Sequence, residues 1–318
     1  MKAVILAGGM GTRLRPITYA MPKPLVPLVS KPMVMHIIDS LPNEVDTVVL
    51  AVSYMKEKLE EYFSSHDCGR KIVLVNEDQP LGTGGALKNV SSYLDDTFFA
   101  FNGDVLCSLD LNDMLKVHRA RGGIGSIALW DVEDPTAFGV VGTTGDDRIT
   151  VFQEKPKREE AASNSINAGV YIFEPEIFSH IGSGVVSLER EVFPKVLEKG
   201  LYAQRFSGYW VDCGTRDNYV KAQRILLERG SALVQGCTID SSVIKGQNRL
   251  IGTQLEGCTV GPYVTTFPGC RIMKGAVVSN SMLMDNVVIE EGAVVKDSLI
   301  GPGYVVKRGE KVESNILA

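Results

Sequence analysis

The sequence predicts an α/β domain, a mostly parallel sheet flanked by helices, followed by a parallel β-helix. Three observations carry this expectation. Up to about residue 130, short apolar runs alternate with stretches of helical period, the pattern of a parallel sheet covered on both faces. The first apolar run, Lys2–Leu6, breaks directly into Gly8, Gly9 and Gly11. Beyond Gly230, single apolar residues recur every five or six positions, the spacing of a β-helix.

Taken in order, strands are expected at Lys2–Leu6, Asp46–Val52, Lys71–Asn76, Thr97–Phe101 and Ile124–Asp131. Their runs of Val, Ile, Leu and Phe suit strands buried on both faces. Helical periodicity falls at Met33–Leu41, Met55–Ser64, Gly85–Leu94 and Leu111–Ala120. From Gly139 to Trp210 shorter β pieces take over, with helices at Pro175–Ile181 and Leu188–Lys199, and a further helix at Asp217–Arg229 closes the region. Gly230-Ser231 is the expected boundary between a domain at 1–230 and one at 231–318. In the second domain Ile239, Ile244, Leu250, Leu255, Val260, Thr266, Ile272, Val278, Leu283, Ile289, Val295, Ile300, Val306 and Val312 form the repeat, with Thr266 the one polar member. Three steps make one coil of about seventeen residues, so the expected core is a stack of single inward side chains. Antiparallel hairpins would alternate with period two instead.

The chain has 318 residues and a net charge of −5. That balance argues against a nucleic-acid polymer as partner. No apolar run reaches membrane-spanning length, and the start of the chain enters a strand rather than a signal peptide. The six cysteines form no Cys-x-x-Cys pair, so zinc is not expected and a reducing cytoplasm is.

In parallel sheets, ligands sit beyond the carboxyl ends of the strands. Three stretches follow strands directly and are expected on that edge: the glycine loop, Glu77–Thr83, and Asn102-Gly103-Asp104. The glycine loop lacks the third glycine of the dinucleotide fingerprint and the Gly-Lys-Ser/Thr ending of a P-loop. What it offers is backbone N–H groups that phosphate oxygens can approach without meeting a Cβ. Arg13 and Lys23 follow as a planar fork and a point charge. A plain strand-to-helix turn remains the alternative. Asp104 at a strand end is a candidate Mg²⁺ ligand or a turn acid. Asp212, in Tyr209-Trp210-Val211-Asp212-Cys213-Gly214-Thr215, is a second candidate, or belongs to a helix cap.

Gly8-Gly9-Met10-Gly11-Thr12-Arg13-Leu14 followed by Pro22-Lys23-Pro24 resembles the signature of the sugar-nucleotidyltransferase family. The resemblance spans the chain. It implies a Rossmann-like catalytic domain and a left-handed hexapeptide-type β-helix, although several steps here are five. It also implies an enzyme that joins an NTP and a sugar 1-phosphate into an NDP-sugar, releasing pyrophosphate, with Mg²⁺ on Asp104 and Asp212. Arg13 and Lys23 would then meet the triphosphate, as would Leu6, Gly8, Gly9, Gly11 and Thr12 in the loop. By the same resemblance, Glu154 and Lys155 of Gln153-Glu154-Lys155-Pro156 would hold sugar hydroxyls and sugar phosphate, with Asn167 and the backbone of Gly139 beside the sugar. Glu77, Gly82 and Thr83 fall in the base-recognition segment.

Glu77 bears on the base. A carboxylate matches the two adjacent donors of guanine, whereas an amide matches uracil or thymine. Gln79 would serve instead in a different loop register. Within the family the chain looks closest to the mannose-1-phosphate guanylyltransferase subgroup, in Ser187-Leu188-Glu189-Arg190-Glu191-Val192-Phe193-Pro194 as well. GTP is therefore the favoured nucleotide. A glucose-1-phosphate thymidylyl- or uridylyltransferase and a non-catalytic homologue that binds nucleotide sugars are the alternatives. The β-helix is expected to drive homo-oligomer formation.

Overall fold

The computed structural model describes residues 1–318 as two compact units, one of 1–10 and 34–210, the other of 11–33 and 211–318. The first unit is built on a nine-stranded sheet. Lys2–Leu6 lies at its centre, parallel to Thr47–Val52 on one side and to Phe98–Asn102 on the other. Lys71–Asn76 extends the sheet, parallel to Thr47–Val52. The strand order therefore reverses at Lys2–Leu6, which makes its carboxyl end a topological switch point. Ser165–Phe173 runs antiparallel to Phe98–Asn102 and carries Gly125–Asp131 and Gly139–Thr143 as antiparallel neighbours. Val4, Val49, Phe98, Tyr171, Phe173 and Phe193 are fully buried in one continuous core.

The expected strands and helices form, with two differences that have physical reasons. The helix expected from Gly85 begins at Gly82 and ends at Asn89. Gly82 sits at φ +73° with the Val186 carbonyl 2.6 Å from where a Cβ would stand, so the glycine run packs the start of this helix instead of preceding it. The helix expected over Leu188–Lys199 is in three pieces: a π-helical turn Leu188–Val192, an α turn Phe193–Val196 and a 3₁₀ turn Leu197–Lys199. Pro194 has no N–H to donate and its ring crowds the preceding turn, which prevents one regular helix.

The second unit contains the repeat. Three sheets, each all-parallel, stack six, five and five short strands, the coils of the left-handed β-helix. Leu250, Leu255, Val260, Ile272, Val278, Leu283, Ile289, Val295, Ile300, Val306 and Val312 line its core. Thr266 is buried as well. Its hydroxyl lies 2.6 Å from that of Thr253 and accepts the Ile251 N–H at 3.2 Å, so the polar member of the repeat is satisfied inside the coil. Ile239 departs from expectation and is 46% exposed. It belongs to the first coil, whose strands pair on one side only, so no coil covers it. In the same unit the helix Arg216–Arg229 packs on the β-helix and on 11–33. Gln223 donates to the Tyr263 carbonyl at 3.0 Å, and the Tyr219 hydroxyl lies 2.9 and 2.7 Å from the Val26 and Pro27 carbonyls.

Candidate active site

In the first unit, backbone hydrogen bonds bring the expected loops to one sheet edge. Ala7 N–H donates to Ala51 O, Gly103 N–H to Leu6 O and Glu77 N–H to Val52 O, at 2.9, 2.9 and 2.7 Å. The Ser53 hydroxyl donates to Gly8 O and fixes the glycine turn. Here Leu6, Gly8, Gly9, Glu77, Pro80, Leu81, Gly82, Thr83 and Ala86 line a cavity of about 250 Å³. All six first-unit residues expected at the nucleotide thus surround one space. Pro80, Leu81 and Ala86 join them, and no chemical signal in the sequence marks those three.

Glu77 governs this cavity. It is 5% exposed, its Oε2 accepts only a 3.4 Å bond from Leu81 N–H, and its Oε1 is buried without a partner. Burial pushes its carboxyl above the ordinary range, opposed in part by the Leu81 N–H. Gly8 is what admits the acid, since a Cβ there would stand 3.0 Å from Oε1. Gln79 is exposed and does not line the cavity. Thr83 lines it, but its hydroxyl donates to Glu189 Oε2 at 2.7 Å and accepts Leu188 N–H at 2.9 Å.

The residues expected at the sugar lie in the same unit. Gly139 pairs with Glu154 across two antiparallel strands, and a Cβ at Gly139 would meet Glu154 Oε2 at 3.2 Å. Glu154 is half-buried. Burial, then the charge of Glu189, raises its carboxyl, while Lys155 and Arg190 oppose the rise. The Lys155 ammonium stands 3.7 Å from Glu154, on a backbone at φ +52°. Asn167 is oriented twice: its amide donates to the Tyr171 hydroxyl at 2.8 Å and its carbonyl accepts Gly169 N–H at 3.0 Å. Asp104 follows Gly103 and is half-buried.

The second unit holds the rest of the expected set. Gly11 is at φ +61°, and a Cβ there would press on Thr18 and on Lys23 Cβ, 3.1 Å away. Asp212 Oδ1 accepts Gly214 N–H at 2.7 Å, and its carbonyl accepts the Asn218 amide at 2.7 Å. A side chain at Gly214 would collide with the Arg13 guanidinium and Asp212 Oδ1. Arg13 and Asp212 therefore share one glycine-cleared place.

Residues 2–229 match the nucleotidyl transferase family, and residues 254–318 match the GMPPB C-terminal domain. The chain belongs to the nucleotidyl transferase family. Mannose-1-phosphate guanylyltransferase 1 of Arabidopsis thaliana is 37% identical over 92% of the chain and 83% of that protein. UTP–glucose-1-phosphate uridylyltransferase of a Synechocystis strain is 36% identical over 90% of the chain and 83% of that protein. A solved UDP-glucose pyrophosphorylase complexed with UDP-glucose shares the fold, with a TM-score of 0.66 and 24% identity over 72% of this chain and 99% of that one. The chain is thus a sugar-1-phosphate nucleotidyltransferase, and such transferases generally use a divalent metal. Carboxylate oxygens are the donor type a hard cation takes. No group of three His, Cys, Asp or Glu gathers, while Asp104 and the anchored Asp212 offer single carboxylates, the sparse oxygen ligation that leaves room for phosphates and water.

Proposed function

We propose that this nucleotidyltransferase joins GTP and mannose 1-phosphate into GDP-mannose and pyrophosphate. The observation that carries the reading is the unpartnered Oε1 of Glu77 in the nucleotide cavity. A buried acceptor without a donor is costly, and the adjacent N1–H and N2–H₂ of guanine supply two donors to one carboxylate. The β-helix adds support, since it matches the GMPPB C-terminal domain.

A phosphate oxygen of the sugar phosphate attacks the α-phosphorus in line, the bond to the β-phosphate oxygen breaks, and pyrophosphate departs. The nucleophile is already an anion, so the protein's task is positioning and charge neutralisation. Lys155 holds the attacking phosphate. Glu154, Asn167 and the Gly139 backbone orient the sugar. Arg13 and Lys23 receive the charge that develops on pyrophosphate, with Gly8, Gly9, Gly11 and Thr12 presenting backbone N–H groups. Asp104 and Asp212 would hold Mg²⁺, which would supply neutralisation of phosphate charge. Catalysis is assigned to 1–230, and self-association to the β-helix of 231–318. No helix is long and apolar enough to cross a membrane, and the free thiols support a cytoplasmic setting.

The uridylyl reading keeps support from the 36% identical Synechocystis relative. Pyrophosphate release over a grid of the four common NTPs and several sugar 1-phosphates separates the two. GTP with mannose 1-phosphate is expected to be the best pair, and a clear preference for UTP or dTTP would overturn the guanylyl assignment.

A further inference from the structure

The loop that closes the nucleotide cavity is fastened from behind by a segment a hundred residues away. Val186 N–H donates to Leu81 O at 2.9 Å, and Val186 O accepts Gly84 and Gly85 N–H at 2.8 and 3.2 Å. Leu188 N–H donates to the Thr83 hydroxyl. Gly82, Gly84 and Gly85 make this possible, because a Cβ at any of them would strike Val186 or Gly184. One charged side chain takes part. Glu189 Oε2 accepts from the Thr83 hydroxyl at 2.7 Å and from the Ser187 hydroxyl at 2.8 Å.

The turn that holds Glu189 also packs on the strand Ile149–Glu154. Glu189 is the second residue of this π-helical turn, a rare form often found at functional sites, and the next residue after the turn, Phe193, packs on Phe152 with ring centroids 4.9 Å apart. Phe152 belongs to the strand Ile149–Glu154 that ends in the sugar acid. The charge of Glu189 is felt at Glu154 as the largest influence after burial. Nothing in the reaction calls on Glu189 to touch a substrate, yet it joins the nucleotide loop to the acid of the sugar pocket.

We propose that Glu189 is a positioning residue that couples the two substrate pockets: its hydrogen bond to Thr83 sets the nucleotide loop, and the turn it belongs to packs on the strand that ends in the sugar acid, Glu154. The proposal rests on the nucleotidyltransferase reading of both pockets. It separates two functions of one side chain. Glu189→Gln keeps an oxygen for the Thr83 and Ser187 hydroxyls and removes only the charge. Glu189→Ala removes both, and Thr83→Val removes the hydrogen bond to Glu189 together with the acceptor of Leu188 N–H, leaving the charge in place.

The test is equilibrium binding of GTP, UTP, dTTP and ATP to the full chain, together with KM for mannose 1-phosphate. Thr83→Val and Glu189→Ala should each weaken binding of the preferred NTP about tenfold, the order of one charge-assisted hydrogen bond. The double variant should lose less than the sum of the two single losses, because the Thr83–Glu189 bond is counted in both. Glu189→Gln should bind that NTP within about twofold of wild type and yet raise KM for the sugar phosphate at least about threefold, a shift Thr83→Val does not share. Additive losses in the double variant, or a Glu189→Gln enzyme unchanged for both substrates, would overturn the proposal. If Glu189→Ala does not fold, Thr83→Ser carries the test: it should restore the affinity that Thr83→Val loses, and equal affinities overturn the assignment. A wild type that prefers another NTP overturns the guanylyl reading alone, and the cycle is then read with that NTP.

Discussion

At the scale of single residues, Glu77 makes opposite demands on stability and on recognition. Its folded carboxyl is raised, so the stability it contributes is full below the ordinary carboxyl range and is lost as pH rises through the raised value. Glu77→Gln should therefore melt higher than wild type at neutral pH without ligand, by about 2 °C or more, and the gap should close as pH falls. A lower melting temperature at pH 7 would contradict this. For GTP the sign is reversed, because only the carboxylate accepts both guanine donors. KM for GTP should climb as pH drops through the raised value, and Glu77→Gln should abolish that climb while eroding GTP use more than UTP use. Competition kinetics across pH read both effects. The carboxylates Asp104 and Asp212 carry a second prediction. Asp104→Asn and Asp212→Asn should each fold and lose at least about a hundredfold in turnover, the scale of one preorganised electrostatic contact. Near wild-type turnover in either variant would remove that residue from the metal assignment.

At the scale of elements, Thr266 shows how a coil tolerates a hydroxyl. Thr266→Val strands the Ile251 N–H inside the β-helix and removes one of two partners of the Thr253 hydroxyl, which keeps the Ile251 carbonyl, at an expected cost of about 1–3 kcal/mol. Adding Thr253→Val should cost further stability by stranding the Ile251 carbonyl, but less than Thr253→Val costs alone, and denaturant melts that find the two losses additive would contradict the pairing. The repeat itself was legible, because each coil needs an inward side chain at fixed spacing and the sequence shows it from Leu250 to Val312. The parallel strands were legible for the same reason, as runs of Val, Ile and Phe. Ile239 was not, since periodicity cannot tell an end coil from a covered one. Nor could local pattern choose between Glu77 and Gln79, two residues apart on one loop. That choice depends on Gly8 leaving room for the acid, a contact nearly seventy residues distant in sequence. The role of Gly82–Gly85 was half visible. A glycine run signals close approach, but the partner, Val186, has no periodic or chemical mark.

At the scale of the whole molecule, the expected division at Gly230 and the compact units divide the chain differently. Arg13, Lys23 and Asp212 belong to the unit that includes the β-helix. The helix Arg216–Arg229 stands between, holding 11–33 through Tyr219 and the coils through Gln223 and Arg216, whose guanidinium donates to Asp297 O at 3.3 Å. A chain ending at Gly230 should accordingly lose at least about tenfold in turnover, since Arg13 and Lys23, proposed to receive leaving-group charge, lose their support, and should melt lower than the full protein. Sedimentation should also show it smaller by more than the deleted mass, and an unchanged number of subunits would sink the self-association assignment. Full activity in the shortened chain would show that 11–33 stands without the coils. The same discontinuity has a consequence for biosynthesis. Residues 11–33 leave the ribosome early, but the helix that receives Val26 and Pro27 follows about 180 residues later, on the order of ten to forty seconds at ordinary elongation rates. Throughout that interval the Val26 and Pro27 carbonyls lack the Tyr219 hydroxyl that binds them in the finished protein, so the nascent chain presents this segment, with Leu14, Ile17, Val26 and Leu28 that end up buried, to a chaperone before that native partner exists.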